Sequence, residues 1–276
     1  MHPYIDIFGV PVPSYMATAI VGFFSMCFVA RSATRNRNDI DRVHIPYVVL
    51  TAMAGLILGA HLLFGIVNMK ALIHAIQDGF SQIHSFMEFI MFFVYLFGGM
   101  VFYGGLFGAI LGVYFYLKYV GLPLSGYFDT MAFCVPLFHG FARIGCFLSG
   151  CCYGIECQTG FVFHDAIEPS ANEVSRFPVQ LLESGLDFLL FVVIFILFIK
   201  KKLRGRLMYV YLLLYAVIRF FDEFLRGDSA RGFVGILSTS QFISVCMFVT
   251  VIIMLFASRK RSKKASNMNG AAFPDK

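Results

Sequence analysis

Long apolar runs separated by short basic blocks restrict this chain more than any other feature. A run of about 20 apolar residues is the length a helix needs to cross a lipid bilayer. No water reaches the backbone there, so each run must satisfy its own N–H and C=O groups. Two runs break the apolar pattern: CVPLFHGFARIGCFLSG holds Arg143, and YVYLLLYAVIRFFDEFLRG holds Arg219. A charged side chain at mid-membrane costs on the order of 3 kcal/mol or more, so it is rare and usually faces a cavity, a partner or a substrate. The simplest reading of the pair is a membrane-embedded site for something anionic.

Composition agrees. Hydrophobic residues make up 59% of the 276 residues and charged ones 14%, against roughly 25% charged in an ordinary soluble domain. The expected fold is all-α and polytopic: one transmembrane domain over residues 1–258 and a solvated, disordered basic tail over 259–276. The net charge of +6 is concentrated in three clusters: Arg31, Arg35, Arg37 and Arg42; Lys200, Lys201, Lys202, Arg204 and Arg206; Arg259, Lys260, Arg261, Lys263 and Lys264. Such blocks mark the cytoplasmic ends of spans. Without aromatic interleaving or a soluble basic face they do not suit nucleic acid.

The runs predict about seven spans, at residues 16–30, 45–67, 99–118, 130–148, 178–199, 207–225 and 241–257. The first thirty residues hold no Lys or Arg, so the N-terminus is expected outside, with no cleavable signal peptide. Seven spans then end in the cytoplasm, and all three basic clusters fall on that side. The third run starts earlier, at Met87, and Gly98-Gly99 and Gly104-Gly105 are its natural break points. Residues 68–87 are too polar to span, and their apolar residues recur at three- and four-residue steps, as in a helix lying in the membrane interface. No internal repeat is visible, which argues against an inverted-repeat transporter.

Chemistry concentrates in four segments. In HGFARIGCFLSGCCYG, Arg143 presents a planar fork of donors suited to phosphate. Gly145, Gly150 and Gly154 allow close backbone approach to a ligand, and His139 stands one turn away. In YAVIRFFDEFLRG, helical spacing puts Tyr215, Arg219, Asp222, Glu223 and Arg226 on one face, with Arg219 and Glu223 able to pair. In RFPVQLLES, Pro178 suits a first helical turn, and Gln180 and Glu183 face inward together. Tyr103 lies between two glycine pairs, the second being Gly104-Gly105. The bland readings are a snorkelling arginine, a structural ion pair, a helix-entry contact and an interfacial tyrosine.

Cys27, Cys134 and Cys246 read as small hydrophobes. Cys146, Cys151, Cys152 and Cys157 do not follow a standard zinc spacing. A disulfide, plain packing, and metal or catalytic use all stay open for them. His61 reads as a hydrogen-bonded core residue, and His74 and His84 belong to the interfacial segment.

The YGG, arginine–glycine, FPVQLLE and IRFFDEFLR segments, in this order among seven spans, resemble the bacterial prolipoprotein diacylglyceryl transferases over residues 16–257. The resemblance implies a multi-pass enzyme of the bacterial plasma (inner) membrane. Such an enzyme moves the diacylglyceryl group of phosphatidylglycerol onto the lipobox cysteine thiol of an exported prolipoprotein, releasing glycerol phosphate. No metal, nucleotide cofactor or nucleic acid is implied. Arg143 and Arg219 would hold the lipid phosphate, with Tyr103 and Glu223 completing the catalytic set. Gln180, Glu183, Tyr215 and Arg226 would bind substrate, and the residues themselves add Gly104, Gly105, Gly145, Gly150, Gly154 and His139 to that set. The chain departs from the family's usual letters at Tyr103 and Phe177 (histidines), at Cys146 and Ser149 (asparagines) and at Cys151 (acidic). Two alternatives therefore accompany the main reading: a transferase serving another acceptor, and a lipid-binding protein without catalysis.

Overall fold

A computed structural model describes residues 3–7, 9–69, 73, 77, 85–97, 99–228 and 232–271 of the chain. The described residues are mostly helical. A short antiparallel hairpin, β1 (Tyr4–Ile7) with β2 (Val10–Pro13), precedes α1 (Ser14–Ala33), α2 (Ile45–Val67), α3 (Phe86–Phe97), α4 (Phe102–Val120) and α5 (Leu124–Ser149). Strands β3 (Glu156–Val162) and β4 (Ser175–Arg176) pair before α6 (Val179–Ile199) and α7 (Leu207–Asp222). A second small hairpin, β5 (Phe233–Val234) with β6 (Leu237–Ser238), leads into α8 (Thr239–Ala271).

The chain forms two units, residues 29–127 and residues 1–28 with 128–276. In the first, α2 and α4 meet through glycine. Gly55 and Gly59 on α2, and Gly104, Gly108 and Gly112 on α4, recur every four residues and so line one stripe on each helix. A Cβ on Gly108 would strike the Gly55 carbonyl, and one on Gly104 the Gly59 carbonyl. Small residues at such a stripe let two backbones approach closely, the main source of attraction between helices where apolar burial contributes little. The break between α3 and α4 is fixed to α2: Val101 N donates to the Ala60 carbonyl at 3.2 Å, and His61 Nδ1 lies 3.0 Å from the Gly99 carbonyl. Tyr116 OH is 2.7 Å from His44 Nδ1, and Tyr127 OH donates to the Asp41 carbonyl at 3.1 Å.

In the second unit, aromatic contacts join α5 to α6. Phe133 meets Phe195 and Phe198 edge-on, with centroids 5.3 and 4.9 Å apart, and Ser184 Oγ donates to the Gly140 carbonyl at 2.9 Å. Asp129 of α5 reaches the loop before α7, where its carboxylate accepts from Gly205 N and, at 3.0 Å, from Leu207 N. That carboxylate caps the positive end of α7 from another helix, satisfying donors the helix itself leaves open. Residues 150–178 fold into a small cap around Tyr153, Phe163 and Ala171, with the Arg176 guanidinium 4.3 Å above the Tyr153 ring.

Each of the seven expected runs overlaps a helix, but residues 99–101 precede α4 and residues 223–225 form a 3-10 turn after α7; the long third run is interrupted between Phe97 and Phe102. Five helical segments are long and apolar enough to cross a membrane: Ser14–Ala33, Arg42–Val67, Leu124–Ser149, Val179–Ile199 and Thr239–Ala257. Helix α7, at 16 residues, is shorter, and α4 carries Lys118 and several tyrosines. Large apolar side chains such as Phe24, Phe28, Leu58, Phe221 and Phe256 are exposed, as lipid-facing residues are. The expected interfacial helix, with His74 and His84, lies largely outside the described residues. The basic tail departs from expectation: α8 continues through the Lys/Arg cluster to Ala271, with no helix-breaking Gly or Pro before Gly270.

Gly108→Leu is expected to lower the melting temperature of the detergent-purified protein, at a cost of about 1–3 kcal/mol from overpacking. Gly185→Ala, where an added Cβ meets nothing within 4 Å, should leave it unchanged or raise it. A thermal unfolding scan of both variants checks this.

Candidate active site

The centre of the second unit is a buried carboxylate held between two arginines. Glu183 lies one turn into α6, after Pro178 has opened the helix. Its Oε1 accepts from Arg143 Nη2 of α5 at 2.7 Å and lies 4.0 Å from Arg219 Nη1 of α7. Arg219 also places Nη2 2.8 Å from Glu223 Oε2, one helical turn on, and donates to Ser240 Oγ of α8 at 3.3 Å. Arg143, Glu183, Arg219 and Glu223 are 6%, 1%, 4% and 2% exposed. Three helices and the 3-10 turn after α7 thus deliver charge to one dry volume, where each charge needs a partner.

The pairing is incomplete. Arg143 Nε and Arg219 Nη1 are buried and make no hydrogen bond among the described residues. The same holds for the acceptors Gln180 Oε1, Ser149 Oγ and Asp222 Oδ2. Buried polar atoms are nearly always satisfied, so two open donors beside open acceptors fit an anionic, hydroxyl-bearing ligand.

Around this centre, His139 Nδ1 lies 2.8 Å from Asp187 Oδ2, and its ring packs edge-on against Tyr215 at 5.7 Å. Tyr215 in turn stacks on Tyr211 at 5.8 Å. Gln180 Nε2 donates to the Cys151 carbonyl at 2.8 Å, tying α6 to the end of α5.

Arg226 differs from expectation. Helix α7 ends at Asp222, a 3-10 turn spans Glu223–Leu225, and Arg226 is extended, at φ −80° and ψ 140°. It therefore leaves the helical face and forks onto Asp228 at 2.9 and 2.6 Å. Burial opposes its charge, yet the Asp228 carboxylate and neighbouring Cys152 hold its pKa above the ordinary arginine value.

Cysteines cluster at the end of α5. Gly150 adopts φ +72°, which lets Cys151 N return to the Cys146 carbonyl at 3.1 Å. Cys152 follows at φ 53°, a region rare for non-glycine residues. The three Sγ atoms lie within 4.8 Å of one another, and Arg143 Nη1 stands 3.9 Å from Cys146 Sγ. Hydrogen bonds from Cys146 and Cys151 push the Cys152 thiol well below its usual pKa despite burial, with Arg226 and Arg143 adding to the effect. All seven cysteines are free thiols.

The glycines expected to face ligand face protein instead. A Cβ on Gly145 would meet Thr18 and Tyr15, one on Gly150 would meet Ala166, and one on Gly154 the Phe177 and Leu225 carbonyls. Gly154 sits where three chain segments cross: Ile155 N donates to Leu225 O, Gly227 N to Tyr153 O and Phe177 N to Ile155 O, each at 2.9 Å. Gly104 and Gly105 pack on α2 in the other unit, where Tyr103 is buried against Phe107. Asp187 and Ser240 were not anticipated. Gln180, Glu183, Ser184 and Asp187 form a polar stripe at helical spacing, a readable signal for Asp187, whereas nothing local distinguishes Ser240.

A family model described as prolipoprotein diacylglyceryl transferase matches residues 3–257. The chain belongs to the prolipoprotein diacylglyceryl transferase family. A phosphatidylglycerol–prolipoprotein diacylglyceryl transferase of Clostridium tetani is 33% identical over 264 residues, covering 93% of this chain and 96% of its own. A second, numbered 2, from Clostridium perfringens is 33% identical over 94% of this chain and 96% of its own. One from Helicobacter pylori is 30% identical over 90% and 88%.

Removing Glu183 leaves two buried guanidiniums without their shared counter-charge. Glu183→Ala is expected to destabilise the purified protein by about 3–5 kcal/mol. Glu183→Gln, which keeps shape and one acceptor, should recover part of the loss. Chemical denaturation of both variants in mild detergent measures the difference.

Proposed function

We propose that the protein is a phosphatidylglycerol–prolipoprotein diacylglyceryl transferase of the bacterial plasma membrane. It takes the diacylglyceryl group from phosphatidylglycerol and places it on a lipobox cysteine thiol, with glycerol phosphate leaving. One observation carries the reading: arginines from two helices meet at one buried carboxylate while each keeps an unpaired donor, in a membrane protein of this family.

In this mechanism Glu183 holds the two guanidiniums in register. The lipid phosphate takes the open donors, Arg143 Nε and Arg219 Nη1. As the glycerol C–O bond breaks, negative charge grows on the phosphate oxygen, and donors already aligned in a dry site stabilise it without reorganising. Gln180 Oε1 and Ser149 Oγ suit the headgroup hydroxyls. Glu223 fixes Arg219 from the opposite side. His139, aligned by Asp187, lines the same volume.

Seven crossings, with the N-terminus outside and the C-terminus cytoplasmic, complete the reading. In that arrangement the basic clusters after α1, between α6 and α7, and late in α8 share one side, as the positive-inside rule requires. A green fluorescent reporter fused after Ala271 should fluoresce, and an alkaline phosphatase reporter at that place should be silent. The reverse result would overturn the orientation.

Purified protein, phosphatidylglycerol with a labelled acyl chain and a lipobox peptide should yield a peptide heavier by one diacylglyceryl group. Arg143→Ala and Arg219→Ala are each expected to lower turnover by about 10²-fold or more while the protein still inserts. Near-normal turnover in either variant would remove the phosphate clamp.

A further inference from the structure

The anion clamp leaves Cys146, Cys151 and Cys152 unused, yet the backbone is built to gather them. The glycine turn at Gly150 folds Cys151 back over Cys146, and the left-handed conformation of Cys152 turns its side chain toward the same point. A non-glycine residue holds that conformation only where its surroundings impose it, and such strain collects at functional sites. Cys146 is buried and the other two are half-buried, so the group is sheltered without being sealed.

We infer that Cys146, Cys151 and Cys152 form a three-thiolate site for a divalent zinc-class cation, whose open fourth position takes the acceptor thiol beside the arginine clamp. The acceptor role rests on the transferase reading above; the metal site does not. Zinc binds thiolate at about 2.3 Å, which spaces the sulfurs of a tetrahedral shell roughly 3.8 Å apart. The sulfurs here lie within 4.8 Å of one another, so small side-chain rotations close the set. Three protein ligands with one open position are the pattern of a catalytic rather than a structural zinc. Three thiolates and a dication leave one net negative charge, and the Arg143 guanidinium, 3.9 Å from Cys146 Sγ, is placed to balance it.

The site supplies what alkylation of a thiol needs, namely a thiolate at neutral pH. On binding the metal, the acceptor S–H gives its proton to solvent. A sulfur lone pair then forms the S–C bond to the glycerol carbon. The C–O bond to phosphate breaks, and its electron pair leaves on the phosphate oxygen, next to Arg143 and Arg219. No oxidation state changes.

Full-length protein, purified in detergent with reductant and without chelator, is analysed for metal and titrated with Co²⁺. The expected result is about one equivalent of thiolate-bound metal, seen as sulfur-to-cobalt charge-transfer absorption. Cys146→Ser, Cys151→Ser and Cys152→Ser should each weaken binding at least tenfold, and Cys157→Ser should not. A lipobox peptide should change the cobalt ligand-field bands, whereas its serine counterpart should not. Absence of these bands in the parent protein, or binding that survives all three substitutions, overturns the site. A disulfide among the three in protein purified without reductant, found by mass, does the same. Full-rate diacylglyceryl transfer by metal-free protein overturns the acceptor role and leaves the transferase reading intact. Cobalt that senses the peptide while no transfer occurs supports the thiol site and counts against the transferase reading.

Discussion

Glu183 is the residue on which the second unit turns. Its Oε1 lies within 4.0 Å of both Arg143 and Arg219, and those arginines come from the helices before and after its own. Two guanidiniums in a low-dielectric interior repel each other strongly, so their convergence needs a shared anion. The helices are arranged to supply one. Ser184 bonds α6 to the Gly140 carbonyl of α5 on the next residue of the same turn, and Asp129 anchors the start of α7 from α5. The backbone crossing at Gly154 then holds the far end of α7 beside the start of α6.

Such a network is a poor choice for stability alone. Well-packed apolar residues of the same volume usually serve a fold as well as a buried ion pair or better. Its retention in a chain this apolar points to use. The open donors point the same way, because a network built only to close on itself would leave no buried N–H without a partner.

Much of this was legible in the sequence, for a physical reason: charge in an apolar run is expensive, so each buried charge announces itself. Arg143, Arg219, Glu183 and Glu223 were all readable on that ground, and so were the helices that carry them. Less legible was whatever depends on tertiary approach. The glycines look alike in the sequence whether they admit a ligand or a neighbouring backbone. Gly104, Gly145 and Gly154 turned out to admit backbone and side chains of the protein itself. Arg226 was misplaced because helical spacing was carried past Asp222, where a 3-10 turn ends the periodicity. The convergence of Cys146, Cys151 and Cys152 was hidden for a related reason. It depends on left-handed conformations at Gly150 and Cys152 that no residue spacing encodes.

In the proposed reaction Arg143 joins the two halves of the chemistry. Its Nη2 faces Glu183, its Nη1 faces Cys146 and its Nε is open. One planar group thus addresses the carboxylate that positions it, the thiols at the end of its own helix and the space left for an anion. An ammonium is a compact point charge and cannot fix three directions at once. Transfer of an alkyl group from a phosphate ester to a thiol demands that a leaving oxyanion and an incoming thiolate be handled within a few ångströms of each other. A guanidinium one turn from a cysteine, on a helix whose end folds two more cysteines back toward it, meets that demand with a single element of secondary structure. In that reading the turn at Gly150 is as much a part of the site as the arginine, because it is the turn that brings Cys151 back to Cys146.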